Sequence, residues 1–257
     1  MNNPAFARLR SLAREIAGGM ALPSFYAEKK AELDRVESQL ERWSDVNRAR
    51  SAMLEKGRAL GHGYQHAHRV AVESAAIVYT EAGLSDHADP LAKAMLIAGY
   101  MHDIRRDEKN HPDRAAHEIE RIFSGSLAPR EMEIILFAVR NHEAFREHEV
   151  VDDGEIMLCA NSLYDADKFR WGPDNFTDTI WEMAESINMP LRVLVDNYER
   201  GVSGIERIRA TFRSETGKAY GPEFIDAGLA IARELFRHCV RELGAGEKKL
   251  RFRGAQI

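Results

Sequence analysis

The chain predicts an all-α fold. Apolar residues recur three or four positions apart along most of its length. No run shows the apolar–polar alternation of a half-buried strand, and no hairpin dipeptide separates strand-like runs. At 257 residues the chain can bury a sizeable core, as one large domain or two small ones.

The elements follow in order. Helices are predicted over 4–17, 24–43 and 45–60. The second is heavily charged (AEKKAELDRVESQLERW), which suits a solvated face packed on a bundle; the third takes Ser44 as its cap. GHGYQ breaks the pattern, and five core helices are predicted near 65–82, 88–104, 111–123, 129–142 and 155–168. WGPDNFTD marks the next break, through Pro173 and a run of capping residues. Helices near 175–188, 190–214 and 221–243 complete the fold, the middle one interrupted at Gly201–Gly204. The tail EKKLRFRGAQI reads as basic and loose, and TGKAYG lacks the spacing and preceding strand of a phosphate loop. This organisation predicts an N-terminal helical extension (1–60), a core of five helices (61–170) and a C-terminal helical region packed on it (171–257).

A formal net charge of −5 excludes the global basic field that attracts nucleic acid, leaving only local patches. No stretch approaches the ~20 apolar residues needed to cross a bilayer. The N-terminus lacks the apolar core of a signal peptide, and Glu15 argues against a transit peptide. Cys159 and Cys239 sit in apolar helical patterns and read as buried free thiols of a reducing compartment. A cytoplasmic protein without membrane association is expected, and a homo-oligomer is compatible with the sequence.

The core helices place polar residues where packing alone does not want them. Their apolar stripes run His66, Val70, Ser74, Ile77; Leu91, Met95, Ala98, His102; His111, Ala115, Ile119, Ile122; Met132, Ile135, Val139, His142; and Ile156, Cys159, Leu163, Asp167. Each stripe carries a potential metal ligand at one end, and Asp103 adjoins His102. Burying such groups is costly unless they are paired or hold a cation, and imidazole with carboxylate suits first-row transition metals. An antiparallel pair of similar helices returns the chain to His102–Asp103 beside His66. The same holds for His111 and His142.

In this order GHGYQHAHRV, MHDI, HPDRAA, NHE and DADKF resemble the HD domain superfamily of metal-dependent phosphohydrolases, over about residues 61–170. The resemblance implies an HD-type helical bundle with additional N- and C-terminal helices. It implies His66, His102, Asp103 and Asp167 as ligands of one divalent metal, with Asp167 preferred over Asp165 because a basic residue, Lys168, follows it. Some members hold two metals. His111 and His142 match the added histidines in order, as second-site ligands or as substrate contacts, with a helix cap the alternative for His111. Arg105 and Arg106 stand where many members have glycine, and the GYP extension of cyclic-dinucleotide phosphodiesterases is absent.

The implied chemistry is hydrolysis of a nucleotide or another small phosphorylated metabolite by a metal-activated water. The cofactor is one or two ions of Mn, Fe, Ni, Co, Zn or Mg. Asp103 would also orient that water. Arg69, Arg105, Arg106 and Lys168 lie close to ligands in the chain and could hold phosphate oxygens. Two other classes stay open: a di-iron oxygenase, and a non-catalytic module that keeps a structural metal. His62, His68 and His117 are expected at the surface or behind the ligands, and His87, His148 and His238 as ordinary residues.

Overall fold

The computed structural model describes residues 4–56 and 63–253, with side chains to 241. His62 and part of the GHGYQ break lie outside the described residues. Those residues form thirteen α-helices and one π-helical turn, with no strand. The helices are α1 (Pro4–Gly18), α2 (Phe25–Glu28), α3 (Lys30–Gln39), α4 (Ser44–Lys56), α5 (Tyr64–Ala82), α6 (Asp89–Met101), α7 (His111–Phe123), α8 (Pro129–Arg140) and α9 (Gly154–Phe169). The π turn (Asn175–Thr179), α10 (Ile180–Ser186), α11 (Leu191–Asp196), α12 (Tyr198–Ile208) and α13 (Glu215–Arg253) follow.

Local signals explain most of the boundaries. Pro90, Pro112 and Pro129 open α6, α7 and α8, where a missing N–H costs nothing. The Asp153 carboxylate caps α9 by accepting from the N–H groups of Glu155 and Ile156. Gly83 and Gly125, at φ 90° and 76°, make the turns after α5 and α7.

Helix α5 is packed most intimately, against α6 on one side and α9 on another, with α8 completing the layer. It is rich in alanine, and a Cβ on Gly99 of α6 would stand only 2.3 Å from Ala71 Cα. The two backbones meet there, one turn from His66 and from His102. α3 and α4 pack on α5 and α6; α1 packs on α13 and the π turn. Phe169 stacks on Phe224 with ring centres 4.2 Å apart, and Phe25 meets Phe169 edge-on, joining α2, α9 and α13. No helix among the described residues is long and apolar enough to cross a membrane.

Several boundaries differ from expectation. The charged helix predicted over 24–43 is divided at Lys29 into α2 and α3. Helix α6 ends at Met101 instead of continuing to 104, so Asp103 leaves the helical spiral. The break predicted at Gly201–Gly204 falls at Asn197; both glycines continue α12 with open space beside them. Helix α13 begins at Glu215, six residues early, and carries Pro222 internally. The tail predicted as loose continues this helix to Arg253. TGKAYG therefore forms the first turns of a long helix.

Candidate metal centre

Five elements deliver six side chains to one end of the bundle. His66 comes from the first turn of α5, and His102 and Asp103 from the end of α6. His111 starts α7, His142 follows α8, and Asp167 lies in the last turn of α9. Asn110, in the left-handed region at φ 54°, redirects the chain so that α7 opens on His111. All six side chains are buried.

Their atoms form two lobes that share Asp103. In the first, His66 Nε2 lies 3.2 Å from His102 Nε2, 3.8 Å from Asp103 Oδ2 and 3.3 Å from Asp167 Oδ1. His102 Nε2 lies 3.4 Å from Asp103 Oδ2 and 3.7 Å from Asp167 Oδ1. In the second, Asp103 Oδ1 lies 3.2 Å from His111 Nε2 and 3.5 Å from His142 Nε2, and these two nitrogens are 3.3 Å apart. Each carboxylate oxygen of Asp103 thus faces a different pair of imidazoles.

The surroundings prepare these atoms to bind a cation. His102 Nδ1 lies 2.8 Å from the Gly99 carbonyl and His142 Nδ1 2.6 Å from that of Val139. Only a protonated Nδ1 can donate to a carbonyl, so in the neutral rings both Nε2 lone pairs face the cluster. His111 Nδ1 has the Glu143 carboxylate 3.6 Å away. Lys168 Nζ donates to the His142 carbonyl at 3.0 Å and to Asp167 Oδ2, which leaves Oδ1 facing the histidines. A nitrogen-and-carboxylate donor set with its lone pairs converging fits a first-row divalent ion.

The electrostatics agree. Burial opposes charge on His102, but Asp103 and Asp167 outweigh it and raise its pKa to about 10. Burial pushes Asp167 upward, yet Lys168, His102 and His66 hold it well below the usual carboxylate range. Burial lowers His142. A cation at these atoms must displace the His102 proton. The raised pKa gives stability that is fully present below about 6.5 and is lost as pH climbs through about 10. Chelator-stripped protein should therefore melt at progressively lower temperature from about pH 7 to about pH 10, and His102→Gln should remove that dependence. A flat melting profile in stripped wild-type protein would contradict this electrostatic picture.

The four predicted phosphate contacts divide. Lys168 and Arg106 reach the cluster: Arg106 Nη1 donates to His111 Nε2 at 2.8 Å and lies 3.8 Å from Asp103 Oδ1. Arg69 and Arg105 do not. Arg69, although only three residues beyond His66 on α5, is drawn away from the cluster by its ion pair with Asp174. Arg105 turns outward to Glu108 and Glu118. Proximity in sequence misleads for both, because each guanidinium is held by carboxylates outside the cluster.

Asp165 also points away. Its carboxylate accepts from Arg213 N, Ser214 N and Ser214 Oγ at 2.6–2.9 Å, and Ser214 Oγ in turn caps α13 through Gly217 N. A Cβ at 217 would strike Asp165 Oδ2 at 2.0 Å, so only glycine admits this approach. His68 bonds the Tyr100 hydroxyl at 2.7 Å beneath Tyr64, and His117, His87 and His148 are exposed. His238 is half-buried near Glu234.

Sequence reasoning passed over Glu143 behind His111, although it completes the NHE triplet. It also passed over the ion pair of Glu73 and Arg170, each side chain only 4% exposed, with N···O distances of 2.6 and 2.8 Å. The Tyr26 hydroxyl donates to Glu73 at 2.6 Å, and Arg170 also pairs with Asp174. An acidic residue inside the apolar run AVESAAIV was the available signal.

No family model, curated protein or solved structure in the three comparisons made with this chain matches it.

Proposed function

We propose that this protein is an HD-type metal-dependent phosphohydrolase with its core at about 61–170. The observation that carries the reading is the pair of lobes sharing Asp103. His66 Nε2, His102 Nε2, Asp103 Oδ2 and Asp167 Oδ1 would hold the ion. A divalent ion held there lowers the pKa of bound water toward ~7 and polarises a phosphoryl oxygen. Lys168 fixes the orientation of Asp167. Asp103 Oδ1, directed to the second lobe, is the acceptor that orients the attacking water. Arg106 enters from the same side and offers N–H groups to phosphate oxygens.

The second lobe supports a second ion or the Arg106 guanidinium, but not both in this arrangement. Like unit charges about 4 Å apart repel by several kcal/mol at intermediate dielectric. Arg106→Ala should therefore raise the affinity for a second ion by at least about tenfold. Metal titration of the two proteins, read by calorimetry and elemental analysis, checks it; unchanged stoichiometry and affinity would contradict it.

A second reading, a di-iron oxygenase, is favoured by the convergence of all six donors. Metal analysis of freshly purified protein, combined with a phosphoester and nucleotide panel, separates the two. Phosphate release supported by Mn, Ni, Co, Zn or Mg is the expected result. Two irons with an oxygen-sensitive spectrum and no phosphate release would replace the hydrolase with the oxygenase. Protein that retains no metal and releases no phosphate would sink both.

A further inference from the structure

A cavity of about 520 Å³ opens from the metal centre into the C-terminal helices. Its inner end is ionic: His66, Asp103, His142, Asp167, Arg106 and Lys168 reach it, with Arg170 beside them. Its outer end is different in kind. From Trp171 to Cys239 no lining residue is charged; Met183, Val193, Val202, Ile205, Leu235 and Phe236 build apolar walls, and Asn175, Thr179, Asn197 and Tyr198 are the polar residues among them. Three apolar residues, Phe145, Met183 and Val193, line the cavity yet remain 48%, 40% and 41% exposed, with the Arg207 guanidinium 4.3 Å over the Phe145 ring. Scattered surface hydrophobes need no explanation, but three grouped around one cavity mark a binding surface. Phe145 moreover holds φ at 62°, an uncommon conformation for a bulky residue and one that recurs at ligand clamps.

A nucleoside finds few partners in such a space, where beyond the ionic groups only Asn175, Thr179, Asn197 and Tyr198 offer polar side chains. Its ribose hydroxyls and base need buried partners, and each one left unpaired costs affinity. An unbranched hydrocarbon needs none and gains from every methylene it buries.

We propose, resting on the phosphohydrolase reading above, that the substrate is a phosphate monoester of a long-chain apolar alcohol. The phosphate sits among the ionic groups and the chain lies along the outer walls. In the reaction water adds to phosphorus and the P–O bond to the alcohol breaks. The alcohol oxygen takes a proton, giving inorganic phosphate and the free alcohol.

The test uses n-alkyl phosphonates from ethyl to decyl, which cannot be hydrolysed in this way, titrated into metal-loaded protein below their micelle concentrations. Affinity should rise roughly fourfold per added methylene until the cavity is filled. Adenosine monophosphate should bind no more tightly than the ethyl compound. Val202→Trp, which fills the outer half, should flatten the series, with an unchanged melting transition as the check on folding. A flat series in the wild-type protein, or adenosine monophosphate binding more tightly than the decyl compound, would overturn the substrate class. Phosphate release from p-nitrophenyl phosphate in the same preparation reports separately on the hydrolase reading. Its absence would defeat that reading whatever the phosphonates show.

Discussion

Asp103→Ala should abolish metal retention and phosphate release while leaving the far-ultraviolet circular dichroism unchanged. Loss of an outer-shell partner already costs roughly 10–100-fold in metal affinity or activity, and Asp103 presents one oxygen to each lobe. Its removal strips a donor from the first lobe and leaves His111 and His142 without the carboxylate they share. His102→Ala should resemble it, because that imidazole touches both first-lobe carboxylates. The helical signal should survive, since both residues lie beyond the end of α6 and carry none of its apolar packing. The measurements are elemental analysis after gel filtration and turnover at saturating metal. Turnover of Asp103→Ala within tenfold of wild type would remove the centre from the mechanism.

Arg170→Met should be the most destabilising single change outside the centre, by about 3–5 kcal/mol in urea unfolding. Both partners of the Arg170–Glu73 pair are almost wholly buried, so truncating the cation abandons a carboxylate in the interior. The loss spreads, because Arg170 also holds Asp174 and approaches the Tyr26 hydroxyl. Four segments therefore feel it: α2, α5, α9 and the turn before the π helix. The double variant Glu73→Leu/Arg170→Met should recover most of the loss, since an apolar pair of similar volume avoids the desolvation penalty. A single variant within about 1 kcal/mol of wild type would show that water reaches the pair.

The helical class and the inward stripes were legible because helical periodicity and burial are two views of one constraint. Val70, Met95, Ala115, Ile135 and Leu163 are all buried where their spacing put them. The five polar residues at the stripe ends, with Asp103 beside His102, were legible for the same reason: packing had no use for them. Less legible was anything decided by a partner distant in sequence. Gly221 and Pro222 look like the start of a helix. Yet Ser214 caps α13 nearly two turns earlier, and Gly221 is there to admit the Phe212 ring. Gly201 and Gly204 look like a break, but an exposed helix tolerates glycine at modest cost. The directions of Arg69 and Arg105 depended on Asp174 and Glu118, which no local pattern reveals. The apolar cavity was invisible for a similar reason. Its apolar walls come from four helices, α10 to α13, and no local pattern shows that they meet around a space.

The contact of Gly99 with Ala71 has a bearing on ion choice. The gap between the His66 and His102 nitrogens is inherited from how near two main chains can come, since nothing larger than hydrogen separates them at that point. Ring rotation would move either nitrogen, but the His102 ring is pinned through Nδ1 to the carbonyl of Gly99, the same residue at which the two helical rods touch, so the bite that an ion would meet follows the rods as well as the ligands. Retuning it for a larger or smaller radius would mean editing positions 71 and 99, which no ion ever touches.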